Sequence, residues 1–468
     1  MSTITAVILA AGAGTRMKSK LPKVIHSVAG RPMVEHVIDA AEENDVDRMI
    51  VVIGHEAEQV EKAIGHRKVQ FVLQKEQLGT GHAVMQTESH LEDEGYVLLL
   101  YGDTPLIRSE TIRELIHYHQ KGNYGATVLT AQLDDPTGYG RIIRDENGLV
   151  KKIVEHKDAT KQEKEIQEVN SGMYCYNSKL LKEALKKLTN DNAQKEYYIT
   201  DVVEILNREG HRVGAYTVAD RTEIMGVNSR AQLAEAEEIM RKRILQQWME
   251  EGVTIIDPYH TYVDKGVKIG RDTVLYPGVI LKGNTEIGED CVIGHNCRIE
   301  GSIIKNHVEI QSSTIIDSFV DDYCQIGPYA YLRPNSRLGQ HVKIGDFVEV
   351  KNSTIGDYSK ASHLAYIGDG EVGKHVNIGC GVVFVNYDGK NKYKTIVEDY
   401  AFVGSNVNLV APITVKKNGY IATGSTITKE VPEGALSVAR ARQENKLGWV
   451  ARKGLLKQRD LKEDTNEY

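Results

Sequence analysis

The sequence predicts an α/β domain on a Rossmann-like mixed, mostly parallel sheet, followed by a parallel β-helix of six-residue repeats. Three observations carry this expectation. Residues 1–230 alternate short apolar runs with helical patterns, as a sheet covered by helices on both faces requires. Residues 231–251 read as one amphipathic helical linker, in which Leu233, Ala236, Met240, Ile244 and Trp248 recur at helical spacing among charges. From Gly252 onward an aliphatic residue returns every six positions, so residues 252–468 form the β-helix and a basic tail.

In the first part the expected strands are Ala6–Leu9, Met49–Ile53, Val69–Val72, Tyr96–Leu100, Ala126–Thr130 and Val213–Tyr216. Helical patterns cover Met33–Asn44, headed by Pro32, and Ala57–Ala63. Ligands of such sheets lie beyond the carboxyl ends of the strands. The first strand runs into Ala10-Ala11-Gly12-Ala13-Gly14-Thr15-Arg16-Met17, with Leu21-Pro22-Lys23 close behind. Small residues there let backbone N–H groups approach phosphate oxygens, and Arg16 and Lys23 add two cations. The loop matches neither the Walker pattern nor Gly-x-Gly-x-x-Gly, whose third glycine position holds Met17. A helix-capping turn would explain Gly-x-Gly alone; Thr-Arg-Met and Pro-Lys at this spacing favour a phosphate site.

In the second part the in-phase sets are Ile269, Leu275, Leu281, Ile287, Ile293 and Ile299; Ile326, Leu332, Leu338, Ile344 and Val350; and Val403, Leu409, Val415, Ile421 and Ile427. Small residues follow many of them and are expected at the corners of the coil. The period breaks at Val385–Thr395, a polar loop, and stops beyond Pro432. The tail 435–468 carries Arg440, Arg442, Lys446, Arg452, Lys453 and Lys457, either as a solvated tail or as a basic arm for a phosphorylated ligand.

Bulk properties exclude several classes. A net charge of −7 with interspersed signs gives no footprint for nucleic acid. No uncharged apolar stretch is long enough to span a bilayer, and the N-terminus enters a strand without the pattern of a secretory signal. Five cysteines without Cys-x-x-Cys fit reduced thiols in a cytoplasmic protein rather than a disulfide or zinc framework.

The opening segment resembles the signature L-x-x-G-x-G-T-R-M…P-K of the nucleotidyltransferases that make nucleotide sugars. The repeats resemble hexapeptide acyltransferases, a likeness that implies a left-handed prism and trimers. Both halves together resemble the bacterial family of bifunctional N-acetylglucosamine-1-phosphate uridyltransferase/glucosamine-1-phosphate acetyltransferases, in the family's motif order. The resemblance implies two activities, with UTP and acetyl-CoA as co-substrates, Mg²⁺, and a homotrimer assembled through the β-helix.

It further implies that Leu9, Ala10, Ala11, Gly12, Arg16 and Lys23 meet the nucleotide and that Gln74, Gly79 and Thr80 read uracil. Tyr101, Gly102 and Asp103 follow a strand, and Asp103 with Asn228 resembles the metal pair; from position alone Asp103 could equally cap a helix. Gly140, Glu155 and Asn170 resemble the residues that hold the sugar. In the β-helix, His363 corresponds to the family's base, although spacing alone makes it a prism-face residue. Arg333 and Lys351 lie three hexads apart and should stack on one face as a sugar-phosphate site. Tyr366 and Asn377 resemble acceptor contacts. Asn386, Tyr387, Cys380, Ser405, Thr423 and Arg440 resemble acetyl and acetyl-CoA contacts, Cys380 and Thr423 standing where many relatives carry alanine. The alternatives are a single-activity sugar-1-phosphate nucleotidyltransferase with a structural or regulatory β-helix, and a non-catalytic subunit. The first leaves His363, the 385–395 loop and the basic tail without a purpose. The second would be expected to have lost Asp103 or the Arg16 and Lys23 cations.

Overall fold

The computed structural model describes residues 3–192 and 194–455. The chain divides into two compact units, Met1–Gly301 and Ser302–Tyr468. All six expected strands of the first unit form. We number its sheet strands β1 Ile4–Leu9, β2 Arg48–Ile53, β3 Gln70–Leu73, β4 Tyr96–Tyr101, β5 Ala126–Gln132, β6 Arg141–Arg144, β7 Val150–Val154, β8 Glu168–Asn177 and β9 Val213–Thr217. Their order is β9-β5-β8-β4-β1-β2-β3, with the β6–β7 hairpin joined to β8. Pairs along the path are parallel except those of β8, which runs antiparallel to both β4 and β5. The sheet buries apolar side chains on both faces: Val7 and Ile8 of β1 are wholly enclosed, one facing each core layer. Those two layers explain the unbroken apolar runs.

Helix Met33–Glu42 forms as expected and stops two residues early. The long helix spans Arg230–Glu250, and Ser229 caps it by accepting the Gln232 N–H at 3.2 Å. Ala236, Met240, Ile244 and Leu245 are its buried residues, and Leu233 and Trp248 are half-buried.

Hexapeptide coils occupy the end of the first unit and most of the second. In the first unit, Ile269 pairs with Ile287 and Leu281 with Ile299; in the second, Ile326 pairs with Ile344 and Val403 with Ile421. Each in-phase aliphatic thus rests on its counterpart three hexads on, inside the coil, and is at most 7% exposed at these positions. One expectation needs correction. The left-handed corner lies three residues after the inward aliphatic, and large residues often hold it: Tyr323, His341, Phe347 and Tyr358 have φ of 57–61°. The glycines one position after the aliphatic are needed for closeness between coils instead. A Cβ on Gly339 would stand 2.3 Å from Asp357 Oδ1. Left-handed backbone costs an L-residue roughly 1–2 kcal/mol. Stacking offsets part of this cost: His307, Tyr323, His341, Tyr358, His375 and Tyr400 form a ladder with ring centroids 4.6–5.0 Å apart.

Candidate active sites

In the first unit the site grows from the carboxyl ends of β1 and β4. Gly102 donates its N–H to Leu9 O at 2.9 Å, binding the two strand ends together. Asp103 then emerges beside the loop that follows β1. Its main-chain carbonyl accepts Val227 N–H at 2.9 Å, which brings Asn228 alongside. Lys23 Nζ donates to Asp103 Oδ2 and, at 2.9 Å, to Asn228 Oδ1. Asp103 caps no helix, since the next one begins at Ser109. A carboxylate and an amide oxygen form a hard-oxygen donor pair that suits Mg²⁺. The Lys23 ammonium is drawn between these two oxygens.

A cleft of about 260 Å³ opens beside this pair, lined by Leu9, Ala10, Ala11, Gly12, Lys23, Gln74, Gly79, Thr80, Tyr101 and Asp103. All ten are among the residues that the resemblance implies for this site. Gln77 and Glu196 also line it and were missed. Gln74 is 3% exposed and donates Nε2 to Gly79 O at 3.2 Å. Gly79 has φ 104°, and a Cβ there would stand 2.6 Å from Tyr197 O, so the wall is backbone against backbone. Gly102 takes part differently: it packs between Leu9, Val24 and Val34.

Arg16 lines a second cleft with Tyr101, Asp103, Asn228, Thr104, Tyr139 and Gln232. Asp103 and Tyr101 therefore face both clefts. Gly140, Glu155 and Asn170 line neither but come together: Asn170 N–H donates to Gly140 O at 2.9 Å, and Glu155 Oε1 lies beside Gly140. Glu155 accepts Thr200 Oγ1 at 3.3 Å, and burial raises its carboxyl above the usual range. Burial also pushes up the Tyr101 hydroxyl, with the Asp103 and Glu155 charges adding to it.

In the second unit the site is a column. Strands Lys343–Lys351 and Lys360–Gly368 run parallel with Asp346 opposite His363. His363 Nδ1 lies 2.5 Å from Asp346 Oδ1, a partner the sequence reading missed. That hydrogen bond holds the Asp346 carboxyl below its ordinary range. With Nδ1 donating to the carboxylate, Nε2 is the basic nitrogen. Ala361 pairs with Ile378, Ile378 with Val403 and Val403 with Ile421, so His363, Cys380, Ser405 and Thr423 fall in one register row. Arg440 closes the row by donating to Thr423 O at 2.8 Å.

Arg333 and Lys351 occupy matching positions on successive coils, as expected. Arg333 is already paired to Glu349 at 2.7 Å, which raises its pKa. Lys351 has a second lysine close by that sequence reasoning missed: Lys392, in the polar loop, is held below its usual pKa by the close approach and like charge of Lys351. Asn386 is buried at the root of that loop and donates to Asp369. Tyr387 is exposed and donates to Gly389 O at 2.6 Å, and Asp388 accepts the N–H groups of Lys390 and Asn391. The loop is therefore internally braced. Tyr366 and Asn377 are half-buried on strands Lys360–Gly368 and Asn377–Ile378. The coil runs past Pro432, where the sequence has it stop: Leu436–Ser437 pairs with Tyr420–Ile421. From Val438 on the described tail is exposed, with one short helix at Trp449–Arg452, while Lys457 lies outside the described residues.

Comparison with known proteins agrees with this two-part arrangement. The nucleotidyl transferase family model matches residues 5–250, and the bacterial transferase hexapeptide (six repeats) model matches residues 266–301. The bifunctional protein GlmU of Alkaliphilus metalliredigens is 63% identical over 97% of this chain and 99% of its own length. Its counterpart in Alkaliphilus oremlandii gives the same identity and coverage. That of Clostridioides difficile is 58% identical over 96% of this chain and 97% of its own. The fold class is therefore a nucleotidyltransferase α/β domain followed by a left-handed parallel β-helix of hexapeptide repeats, and the chain belongs to the bifunctional GlmU family.

Proposed function

We propose that the chain performs two transfers on one amino-sugar phosphate, each in its own centre. The β-helix moves an acetyl group from acetyl-CoA to glucosamine-1-phosphate. The α/β domain then moves UMP from UTP to N-acetylglucosamine-1-phosphate and releases pyrophosphate. The observation that supports this reading is one candidate centre in each unit: Lys23 between Asp103 and Asn228 in one, Asp346 on His363 in the other.

For nucleotidyl transfer, the small residues Ala10–Gly12 admit phosphates to the backbone N–H groups, and Lys23 and Arg16 supply charge from the two clefts around Asp103. Gln74 and Gly79 hold the uracil, Gly140, Glu155 and Asn170 the sugar. Asp103 and Asn228 would hold Mg²⁺, which when bound neutralises charge developing on the phosphates. The sugar-phosphate oxygen attacks the α-phosphorus in line, and no covalent bond to the protein forms. Catalysis here is positioning plus charge.

For acetyl transfer, the substrate amine, its ammonium proton released to solvent, attacks the thioester carbonyl, and His363 Nε2 takes the N–H proton that the nitrogen loses as the amide forms. The C–S bond breaks, and the CoA thiolate receives the proton from His363. Asp346 holds the ring and its tautomer. Arg333, Lys351 and Lys392 bind the sugar phosphate, Tyr366 and Asn377 the sugar. Cys380, Ser405, Thr423, Arg440, Asn386 and Tyr387 lie along acetyl-CoA.

The working form is a homotrimer in the cytoplasm, with domains at 1–230, 231–251 and 252–468. Its support is the corner beside the base, where Tyr329, Phe347 and Leu364 are 57–61% exposed, an apolar strip suited to a second copy. No disulfide links cysteines among the described residues, and no helix among them is long and apolar enough to cross a membrane. Incubation with glucosamine-1-phosphate, acetyl-CoA, UTP and Mg²⁺ should yield UDP-N-acetylglucosamine with free CoA and pyrophosphate. Pyrophosphate from pre-acetylated sugar phosphate without any CoA release would favour the single-activity alternative.

A further inference from the structure

The first compact unit does not end with the long helix; it takes in the first hexapeptide coils, up to Gly301. The segment after Lys23 is where these parts meet. Lys23–Ile25 is a single helical turn, and the chain then folds into a tight hairpin, Ser27–Val28 against Arg31–Pro32. The turn residues Ala29 and Gly30 both take left-handed backbone, with φ of 45° and 80°.

That turn is gripped from two sides. Glu237, on the long helix, accepts the Ala29 N–H at 2.6 Å. Lys265, at the first coil, donates its own N–H to Ala29 O at 3.0 Å. Asp264 lies so close to Gly30 that a Cβ there would stand 2.3 Å from its carboxylate oxygen. Lys265 Nζ also reaches Asp39 at 2.9 Å, on the helix that follows the hairpin. Nearer the cleft, Arg230 donates Nε to Met17 O and Nη1 to His26 Nδ1, each at 3.3 Å. Met17 ends the short turn that carries Arg16, and His26 follows the one that carries Lys23.

We propose that Glu237 and Arg230 of the long helix, with Asp264 and Lys265 of the first coil, are positioning residues for nucleotidyl transfer. They fix the loop that presents Arg16 and Lys23, so the first coil is part of the nucleotidyl-transfer machinery. The physical case is that Arg16 and Lys23 stand on single short turns anchored by a few buried side chains, Met17 and Val24 among them, so the bonds to Met17, His26 and Ala29 add to what holds the two cations still. Where catalysis works by positioning, a displacement of about 1 Å costs about 10²-fold in rate. The proposal rests on the assignment of Lys23 to the nucleotide site.

The test measures kcat and KM for UTP in the full chain, with CoA release as the control activity. Glu237→Ala and Arg230→Ala should lower kcat for uridylyl transfer about 10- to 100-fold, with KM for UTP changing less and CoA release within about twofold of the parent. Glu237→Gln keeps an acceptor oxygen for the Ala29 N–H and should restore most of the rate. Unchanged kcat in both alanine variants overturns the proposal. So does a parallel fall in both activities that Glu237→Gln fails to rescue, since that marks a role in folding alone. Lys23→Ala separates the two levels. If it loses uridylyl transfer while Glu237→Ala and Arg230→Ala do not, only the clamp falls. If Lys23→Ala is itself without effect, the site assignment fails and the clamp with it.

Discussion

The two units assemble their chemistry by opposite means. In the first, Lys23 meets Asp103 from 80 positions away and Asn228 from 205, because strand ends and loops converge at one edge of a sheet. In the second, Asp346 meets His363 from 17 positions away, because one coil of the prism returns the chain to nearly the same place. Convergence allows many residue types to face one ligand from different directions, as the two clefts around Asp103 do. Stacking gives a row of groups at constant spacing, which suits an extended ligand lying along the coil axis. The difference teaches where each site is vulnerable: the first to displacement of a loop, the second to loss of the register that keeps coils in step.

The largest effect should come from breaking the convergent site at its centre. Asp103→Ala should reduce uridylyl transfer by several orders of magnitude and leave CoA release intact, as read by separate pyrophosphate and CoA assays. EDTA should reproduce the same split. Near-normal uridylyl transfer in Asp103→Ala would remove that residue from the metal pair.

The stacked unit should respond to its core. Leu409 is fully buried between Phe384 and Ile427 in adjacent coils. Leu409→Ala should destabilise the β-helix by about 2–5 kcal/mol, measured by urea unfolding followed through loss of acetyl transfer. Uridylyl transfer should persist at urea concentrations that abolish acetyl transfer. Coincident loss of both would mean that the units unfold as one. A milder change, Asp346→Asn, keeps the side-chain shape but loses the charge that orients the His363 ring. We expect acetyl transfer to fall about 10- to 100-fold with KM for acetyl-CoA nearly unchanged. The smallest effect belongs to the aromatic ladder. Tyr358→Ala removes two stacked contacts, with His341 and His375, and should cost about 1–3 kcal/mol of β-helix stability without altering kcat of either reaction.

The same contrast governs what could be read from the sequence. A coil repeat is a local rule, so the stacking of Arg333 on Lys351 and the burial of Ile326, Leu332 and Leu338 followed from spacing alone. Asp346 escaped because the coil between it and His363 has 17 residues, one short of three hexads. Counting back by the local coil length would have found it. Lys392 escaped because the loop that carries it departs from the period and folds back on itself.

In the first unit six of the nine sheet strands were legible as apolar runs, but β6, β7 and β8 and the order of the sheet were not. Strand β8 has no alternation to announce it: Met173, Tyr174, Cys175 and Tyr176 are all fully buried, since both faces of the sheet are covered. Its antiparallel place between β4 and β5 is a tertiary outcome. The ten cleft residues that the family resemblance implies line one cavity; Gln77, between Gln74 and Gly79, lay within reach of the same reading, whereas Glu196 enters only through the fold.

The central claim is that the two centres act independently, and His363→Ala tests it most directly. Removing a general base should cut CoA release from glucosamine-1-phosphate by about 10²–10⁴-fold. The same protein, given N-acetylglucosamine-1-phosphate, UTP and Mg²⁺, should release pyrophosphate at the parent rate. Full CoA release in His363→Ala would contradict the account, because the histidine would then be an ordinary residue on the prism face.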